Sequence, residues 1–458
     1  MLLETFASGL EREWDGVFPQ IRTQRRAIEH ALTLPLVLGR RTISRSICTL
    51  DRWDQDWSAD YKLFSRSGWS VEELFAPVLS QYLQWYRKGP IGVALDDTRV
   101  SKSGKKIKGA SWQYDPMSPP FHVNFLYGLR FIQASVLFPC SCFGHGGARA
   151  LPVRFENAPV LKKPGKKATE EQRQRYRVMK KHHNLSTQAL GSIQSLRDQT
   201  DSQGGMERDL LLTVDGSYCN RTMFRAKLDR CQLLARCRKD ARLCMPAPKG
   251  NRRKYAAEIF TPEQVRQDKS SPWKRARIHY AGKLRSIRYK VLNRVLWRRG
   301  AVTKPLRLIV ISPQPYKLSK HARTNYRQPA YLLSSDLRSS VKLLIQKYFD
   351  RWQIEVNHRD EKSLLGVGQA QVWSEMSVPR QPAFAVASYS MLLLSALRAF
   401  GTDRSKEFCP LPKWRKSTST YSTLDLLSLL RKEINSETSI SNYLNATAPQ
   451  NLMNYAYT

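Results

Sequence analysis

Acidic residues are scarce in this chain of 458: 38 Asp and Glu stand against 76 Lys and Arg, a formal net charge of +38. Such an imbalance repels itself unless an anionic polymer accompanies it, which points to nucleic acid first and to an acidic membrane surface second. Cysteine is sparse as well. The eight, at Cys48, Cys140, Cys142, Cys219, Cys231, Cys237, Cys244 and Cys409, form no Cys-x-x-Cys pair and have no paired histidines nearby, which excludes a zinc ribbon. So few in so long a chain fit buried free thiols in a reducing compartment. Long apolar runs are missing too. The main uncharged apolar stretch lies between Arg380 and Arg398, is interrupted by Pro382, Ser388 and Ser390, and falls short of the roughly 20 apolar residues of a spanning helix. It reads as a buried core helix. The opening MLLETFASGLEREWDG lacks the basic-then-apolar order of an export signal, because Glu4, Glu11 and Glu13 interrupt it. The expectation is a cytoplasmic chain bound to nucleic acid, with no membrane.

What is present suits a folded protein. Apolar residues make up 41% and aromatics 10%, which excludes disorder by composition, and the length argues for two or three packed units. Residues 1–88 carry helical spacing in Ile28, Leu32, Val37, Leu74, Val78, Leu79 and Leu83, and RRTISRSI offers caps at Thr42 and Ser44. This stretch is a helical unit, either touching DNA or only packing. At Pro90 the pattern changes to IGVALDDT, a buried strand closing on two aspartates. His122 to Pro139 supplies two further strands with a turn around Gly128. From Arg149 to Lys181 there are 11 basic and 3 acidic residues, leading into a helix with Leu185, Ala189, Ile193 and Leu196 on one face. The strand DLLLTVDGSY again closes on an aspartate, Asp215, and CQLLARCRKDARL gives another strand. Arg221 to Lys304 then holds 25 Lys+Arg and 5 Asp+Glu; strands such as RSIRYKVLNRVLW make it a β-rich insertion suited to a phosphate backbone. LRLIVIS and QPAYLLSSDL are strands, Ser339 to Lys362 is a helix, and helices follow at 383–399 and 424–435, with a frayed tail beyond Ser436. The fold class is α/β: a mixed sheet flanked by helices.

Three carboxylates stand where such a fold brings chemistry together: Asp97 and Asp215 at the carboxyl ends of strands, Glu355 on the late helix. Hard divalent cations want oxygen ligands, and two of them can ready a hydroxyl or water for in-line attack on phosphorus. At about 100° per residue, Tyr348, Arg351, Glu355 and Lys362 fall within an arc of about 60°, while Asp350, Asp360 and Glu361 turn away.

The spacing Tyr348-x2-Arg351-x3-Glu355-x6-Lys362, in YFDRWQIEVNHRDEK, resembles the signature of the bacterial insertion-sequence DDE transposases of the cut-and-paste type. ALDDT and LTVDGSY resemble that family's first and second aspartate segments. The resemblance covers residues 90–365. It implies an RNase H-like core with a β-domain inserted between the second aspartate and the glutamate. It divides the chain into an N-terminal domain (1–88), the first part of the core (89–244), a basic insertion (245–330), the last part of the core with the catalytic helix (331–400) and a helical C-terminal tail (401–458). It implies that Asp97, Asp215 and Glu355 hold two Mg²⁺ ions, for which Mn²⁺ can substitute, and that Tyr348, Arg351 and Lys362 grip phosphates. In ALDDT either aspartate can serve; Asp97 is chosen because the family's ligand is typically followed by threonine, as it is by Thr98, leaving Asp96 to shape the turn. Lys102, Lys105 and Lys106 are candidates for DNA contact, Trp297 or Trp273 for stacking on a flipped base, and Trp352 for packing beneath the site. His182, His183 and His358 read as surface or hydrogen-bonded residues.

The expectation is a transposase that cuts at its element's terminal inverted repeats and joins the freed 3′-hydroxyl to target DNA, working as a homodimer on double-stranded DNA at the nucleoid. An RNase H-like nuclease without strand transfer, and an inactive DNA-binding descendant, are the competing readings.

Overall fold

The computed structural model describes every residue except 116, 117, 120, 249, 320, 415–417 and 436–458; the expected fraying beyond Ser436 lies outside the described residues. Five helices open the chain: α1 (Leu2–Glu13), α2 (Ile21–Thr33), α3 (Ile43–Thr49), α4 (Ser58–Ser65) and α5 (Val71–Trp85). Thr42 caps α3 through the Arg45 amide, as its position in RRTISRSI predicts.

The sheet begins with β1 (Ile91–Ser101), β2 (Ser111–Tyr114), β3 (Phe125–Pro139) and β4 (Ala148–Asn157), antiparallel along β1–β3–β4. The turn expected at Gly128 is absent, and β3 runs straight through it. Gly128 is glycine because a Cβ there would lie 2.2 Å from the Val100 carbonyl oxygen of the neighbouring strand. Two helices follow, α6 (Glu170–His182) and α7 (Leu185–Ser202), then β5 (Leu210–Val214), α8 (Arg221–Arg225) and β6 (Cys231–Arg236). β5 pairs parallel with both β1 and β6. Ile91 to Leu95 and all of β5 are buried, as continuous apolar runs must be in strands covered on both faces. The order β4-β3-β1-β5-β6, with only β3 reversed, is an RNase H-like arrangement.

The basic stretch 245–330 carries β8 (Tyr255–Phe260), α9 (Pro262–Gln267), β9 (Lys274–Tyr280), β10 (Lys283–Leu296), β11 (Pro305–Ile311) and the small pair β12 (Pro315–Tyr316) and β13 (Asn325–Tyr326). β7 (Leu243–Pro246) precedes it and β14 (Ala330–Ser334) closes it. Apart from β12 and β13, which pair only with each other, these strands do not stand apart. β14 pairs with β6, β11 with β14 and β10 with β11, so one sheet of twelve strands runs from the core through the insertion.

The expected helix at 339–362 is α10 (Val341–Asp350) and α11 (Trp352–Ser363), joined at Arg351, whose φ of −50° and ψ of −33° carry the helical phase across. α12 (Ser377–Phe400) and α13 (Thr423–Asn435) complete the chain. α12 has the length and hydropathy of a membrane span, but its most apolar window is 83% buried. It shares one core with α1, α5 and β4 through Phe6, Trp14, Phe75 and Phe384. It is the core helix expected from Pro382, Ser388 and Ser390.

Candidate active site

β1 and β5 bring two aspartates level. Their last parallel rung pairs Leu95 with Val214, so Asp96 and Asp215 fall on the next one. Alternation along β1 then decides what each aspartate faces. Asp96 lies opposite Gln133 on β3 and shares its face of the sheet. On that face sits α11, fixed by buried polar pins: Gln133 Nε2 donates to Glu361 Oε1 (2.9 Å), and Asn357 Nδ2 to Ser135 Oγ (3.3 Å) and to the Ala150 carbonyl (3.2 Å). Ile354 seals the contact against Ala94, Leu137 and Ala150.

This packing brings Glu355 towards Asp96, and Arg351 spans the two. Its Nη2 donates to Glu355 Oε1 at 2.9 Å, and its Nη1 stands 3.6 Å from Asp96 Oδ2. Burial pushes the Asp96 carboxyl up to about 7; the charges of Asp215 and Asp97 add to the rise and Arg351 opposes it. Asp215 Oδ1 accepts from the Ser217 amide and hydroxyl (2.8 and 2.6 Å), which orients the carboxylate at the strand end.

Asp97 points to the other face of β1. There its Oδ2 lies 3.7 Å from Arg99 Nη1 and its Oδ1 is 3.5 Å from the Tyr218 hydroxyl. Burial raises its pKa, with Arg99 and Arg130 opposing. Strand parity therefore joins Asp96, rather than Asp97, to Arg351 and Glu355.

The donor chemistry suits a hard divalent cation: carboxylate oxygens in surplus, one carboxyl held up by burial and by its neighbours' charge, and a guanidinium already drawn between two of them. Among the described residues no three Asp, Glu, His or Cys side chains converge into a ligand cluster as they stand.

The remaining expected residues divide. Tyr348 and Arg351 line a cleft of about 1060 Å³ whose walls also carry Arg149, Arg236, Lys283 and Arg327. The β9–β10 hairpin closes one side of it: the His279 amide donates to Gln346 Oε1 on α10 (2.9 Å), and the Tyr280 ring lies 4.5 Å from that of Phe349. Lys362 is exposed at the end of α11, with Asp97, Arg99 and Asp115 in electrostatic range. Lys105 and Lys106 are exposed on the loop after β1.

Lys102 is a correction. It is buried, and its ammonium donates to the carbonyls of Gly368 (2.9 Å) and Ala370 (2.6 Å), so it pins a loop and has no surface to offer DNA. Trp297 is another. It packs half-buried against Phe224, ring centroids 5.6 Å apart, on the edge of the core. Trp273 is engaged by Lys290 and Arg288. Trp352 is 57% exposed in the cleft wall, not packed beneath the site, and His358 is not a surface residue: burial pushes its imidazole down to about 3, and its Nε2 finds no protein partner. Two contributors escaped the sequence reading, Arg236 and the β9–β10 tip. The clue for both was only that they follow strands, at an end and at a turn.

A family model described as DDE superfamily endonuclease matches residues 16–304, more than half of the chain. The chain belongs to that family. The protein is thus an endonuclease acting on DNA, from a superfamily generally dependent on divalent metal. The match includes both aspartate strands and ends before α10, so the Tyr348-Arg351-Glu355-Lys362 signature stands outside it. No curated protein matches the sequence significantly.

Proposed function

We propose that this DDE endonuclease is a DNA transposase of the insertion-sequence type, cutting at the terminal repeats of its own element and joining the released 3′-hydroxyl to target DNA. The observation that carries the reading is the Arg351 bridge between Asp96, midway along β1, and Glu355 on α11, on the helix face that also bears Tyr348. A phosphodiester resting there meets a guanidinium, a phenol and, two turns beyond Glu355, the Lys362 ammonium. Each neutralises charge that builds on phosphate oxygens during in-line displacement.

In this reading Asp96, Asp215 and Glu355 are the ligands, with Asp97 an outer carboxylate held by Arg99 and Tyr218. Divalent ions bound there, Mg²⁺ or Mn²⁺, would supply Lewis acidity at the attacking and leaving oxygens. Arg351 then exchanges its carboxylate partners for the phosphate. Cleavage and joining are the same displacement with different nucleophiles, so one site serves both. A homodimer holding two ends follows from the need to pair them.

Incubating the protein with labelled element-end DNA and Mg²⁺ tests this. Asp215→Asn and Glu355→Gln should abolish cutting yet retain DNA binding. Asp96→Asn should match them, while Asp97→Asn retains measurable cleavage; the reverse order would return the ligand role to Asp97. The family description itself favours one competing reading, a nuclease without strand transfer. Cut ends that never appear joined to target DNA, under conditions of efficient cutting, would establish it.

A further inference from the structure

One helix of this fold has no packing role. All of α6 lies outside the core: none of its side chains is buried. From Lys162 to Lys181 the chain carries nine Lys and Arg against two acidic residues, Glu170 and Glu171. A helix that is polar all round is held by pairs along its own surface or by a partner. The internal pairs are thin: Glu170 reaches Arg177 (3.0 Å) and Arg173 (4.0 Å), both exposed and worth little in water. Against them, Arg173, Arg177 and Lys181 follow one another at i,i+4, where like charges repel. The capping box of Thr169 and Gln172 starts the helix, but nothing among the described residues covers it.

Its position is defined. The Asn184 side chain donates to the Lys181 carbonyl (2.8 Å) and caps α7 through the Thr187 amide (3.0 Å). Two residues along, Ser186 Oγ accepts from Asn220 Nδ2 (2.8 Å), and Asn220 follows directly on the loop of Asp215. The last turn of α6 is therefore anchored at the rim of the carboxylate site. From there the helix runs for about 20 Å.

We propose that α6, with the lysines of 162–167, is a phosphate-contacting rail for duplex DNA leading away from the active site past the Asp215 loop, gripping the backbone without reading sequence. Charge complementarity selects DNA as the occupant. A second copy, with the same net +38, would have to bring a locally acidic face against this helix, so a contact between copies belongs elsewhere on the surface. The inference needs DNA as the substrate and does not need strand transfer.

The test uses the full-length protein in EDTA and an arbitrary duplex of roughly three helical turns, with affinity read by fluorescence anisotropy across a salt series. The variant is Arg173→Gln, Arg175→Gln, Arg177→Gln, Lys180→Gln and Lys181→Gln together; with no buried side chain altered, its melting curve should match the parent. Each phosphate contact contributes about 0.9 to the slope of log affinity against log salt. The slope should drop by about 3 to 4, and affinity near 0.1 M salt should fall more than tenfold. Arg87→Gln with Lys88→Gln, at the opposite end of β1, should change the slope by less than about 0.5 and so separates local contact from total charge. An unchanged slope in the α6 variant overturns the proposal. So does a change in oligomeric state with the slope intact, which would make α6 an interface between copies. Asp215→Asn should keep the full slope, so loss of cleavage and loss of the rail are read separately.

Discussion

Replacing Asp96 with asparagine should stabilise the metal-free protein above neutral pH while abolishing cleavage. The Asp96 carboxyl is raised from an ordinary 3.8 to about 7, first by burial and then by the charge of Asp215. Between roughly pH 4 and 7 the folded chain keeps a proton that the unfolded chain has released, so the contribution of this residue to stability is fully present below pH 4 and is lost as pH rises through 7. Three units at 1.36 kcal/mol each set an upper bound of about 4 kcal/mol. Arg351 loses the partner 3.6 Å from its Nη1 in the variant, which returns about 1–2 kcal/mol. The net gain is about 2 kcal/mol at pH 8, with none below pH 4. Denaturant unfolding in EDTA measures it, the parent and Asp96→Asn being compared at pH 4, 6 and 8. Other raised carboxyls, Glu361 and Asp350 among them, act equally in both proteins and cancel in the difference. A variant no more stable than its parent at pH 8, or a gain that does not grow with pH, refutes the reasoning.

Lys102→Met should cost about 2–3 kcal/mol by leaving the Gly368 and Ala370 carbonyls without their charged donor, while DNA affinity at a given salt stays unchanged; a drop in affinity without loss of stability would restore its expected role. Arg351→Lys keeps the charge but not a fork wide enough to reach both Asp96 and Glu355. Single-turnover cleavage should slow at least tenfold with binding intact, and parental rates would show that the span is irrelevant. In thiol titration near pH 8 the exposed Cys142 should react first. Cys231, which burial pushes up to about 12, and the buried Cys237 should react only on unfolding; fast modification of either would contradict their burial.

Much of this was legible in the chain itself. IGVALDDT and DLLLTVDGSY announce buried strands because parallel strands covered on both faces have no polar alternation to hide them, and α7, α12 and α13 follow from apolar spacing. The choice between Asp96 and Asp97 was not legible from ALDDT. It turns on strand parity, fixed by Gln133, Ser135 and Ala150 beneath α11, which are remote in sequence. Lys102 misled for a similar reason, since its carbonyl partners lie more than 260 residues away. Trp297 was a candidate for stacking on a base because Phe224, which lies beside it, is remote in sequence. Gly128 suggested a turn because glycine's tolerance of tight bends and its tolerance of close backbone approach leave the same letter.

The sheet that continues unbroken from β1 to β10 has a mechanical consequence. Ladder hydrogen bonds tie the β9–β10 hairpin to the strands bearing Asp96 and Asp215, and Gln346 clasps the hairpin tip to α10. Among the described residues no slack segment intervenes along that ladder to let the arm swing. A nucleic acid entering the cleft therefore meets a rigid jaw, and the accommodation falls on the duplex: steps that kink cheaply, TA and CA above all, become the easiest places to seat.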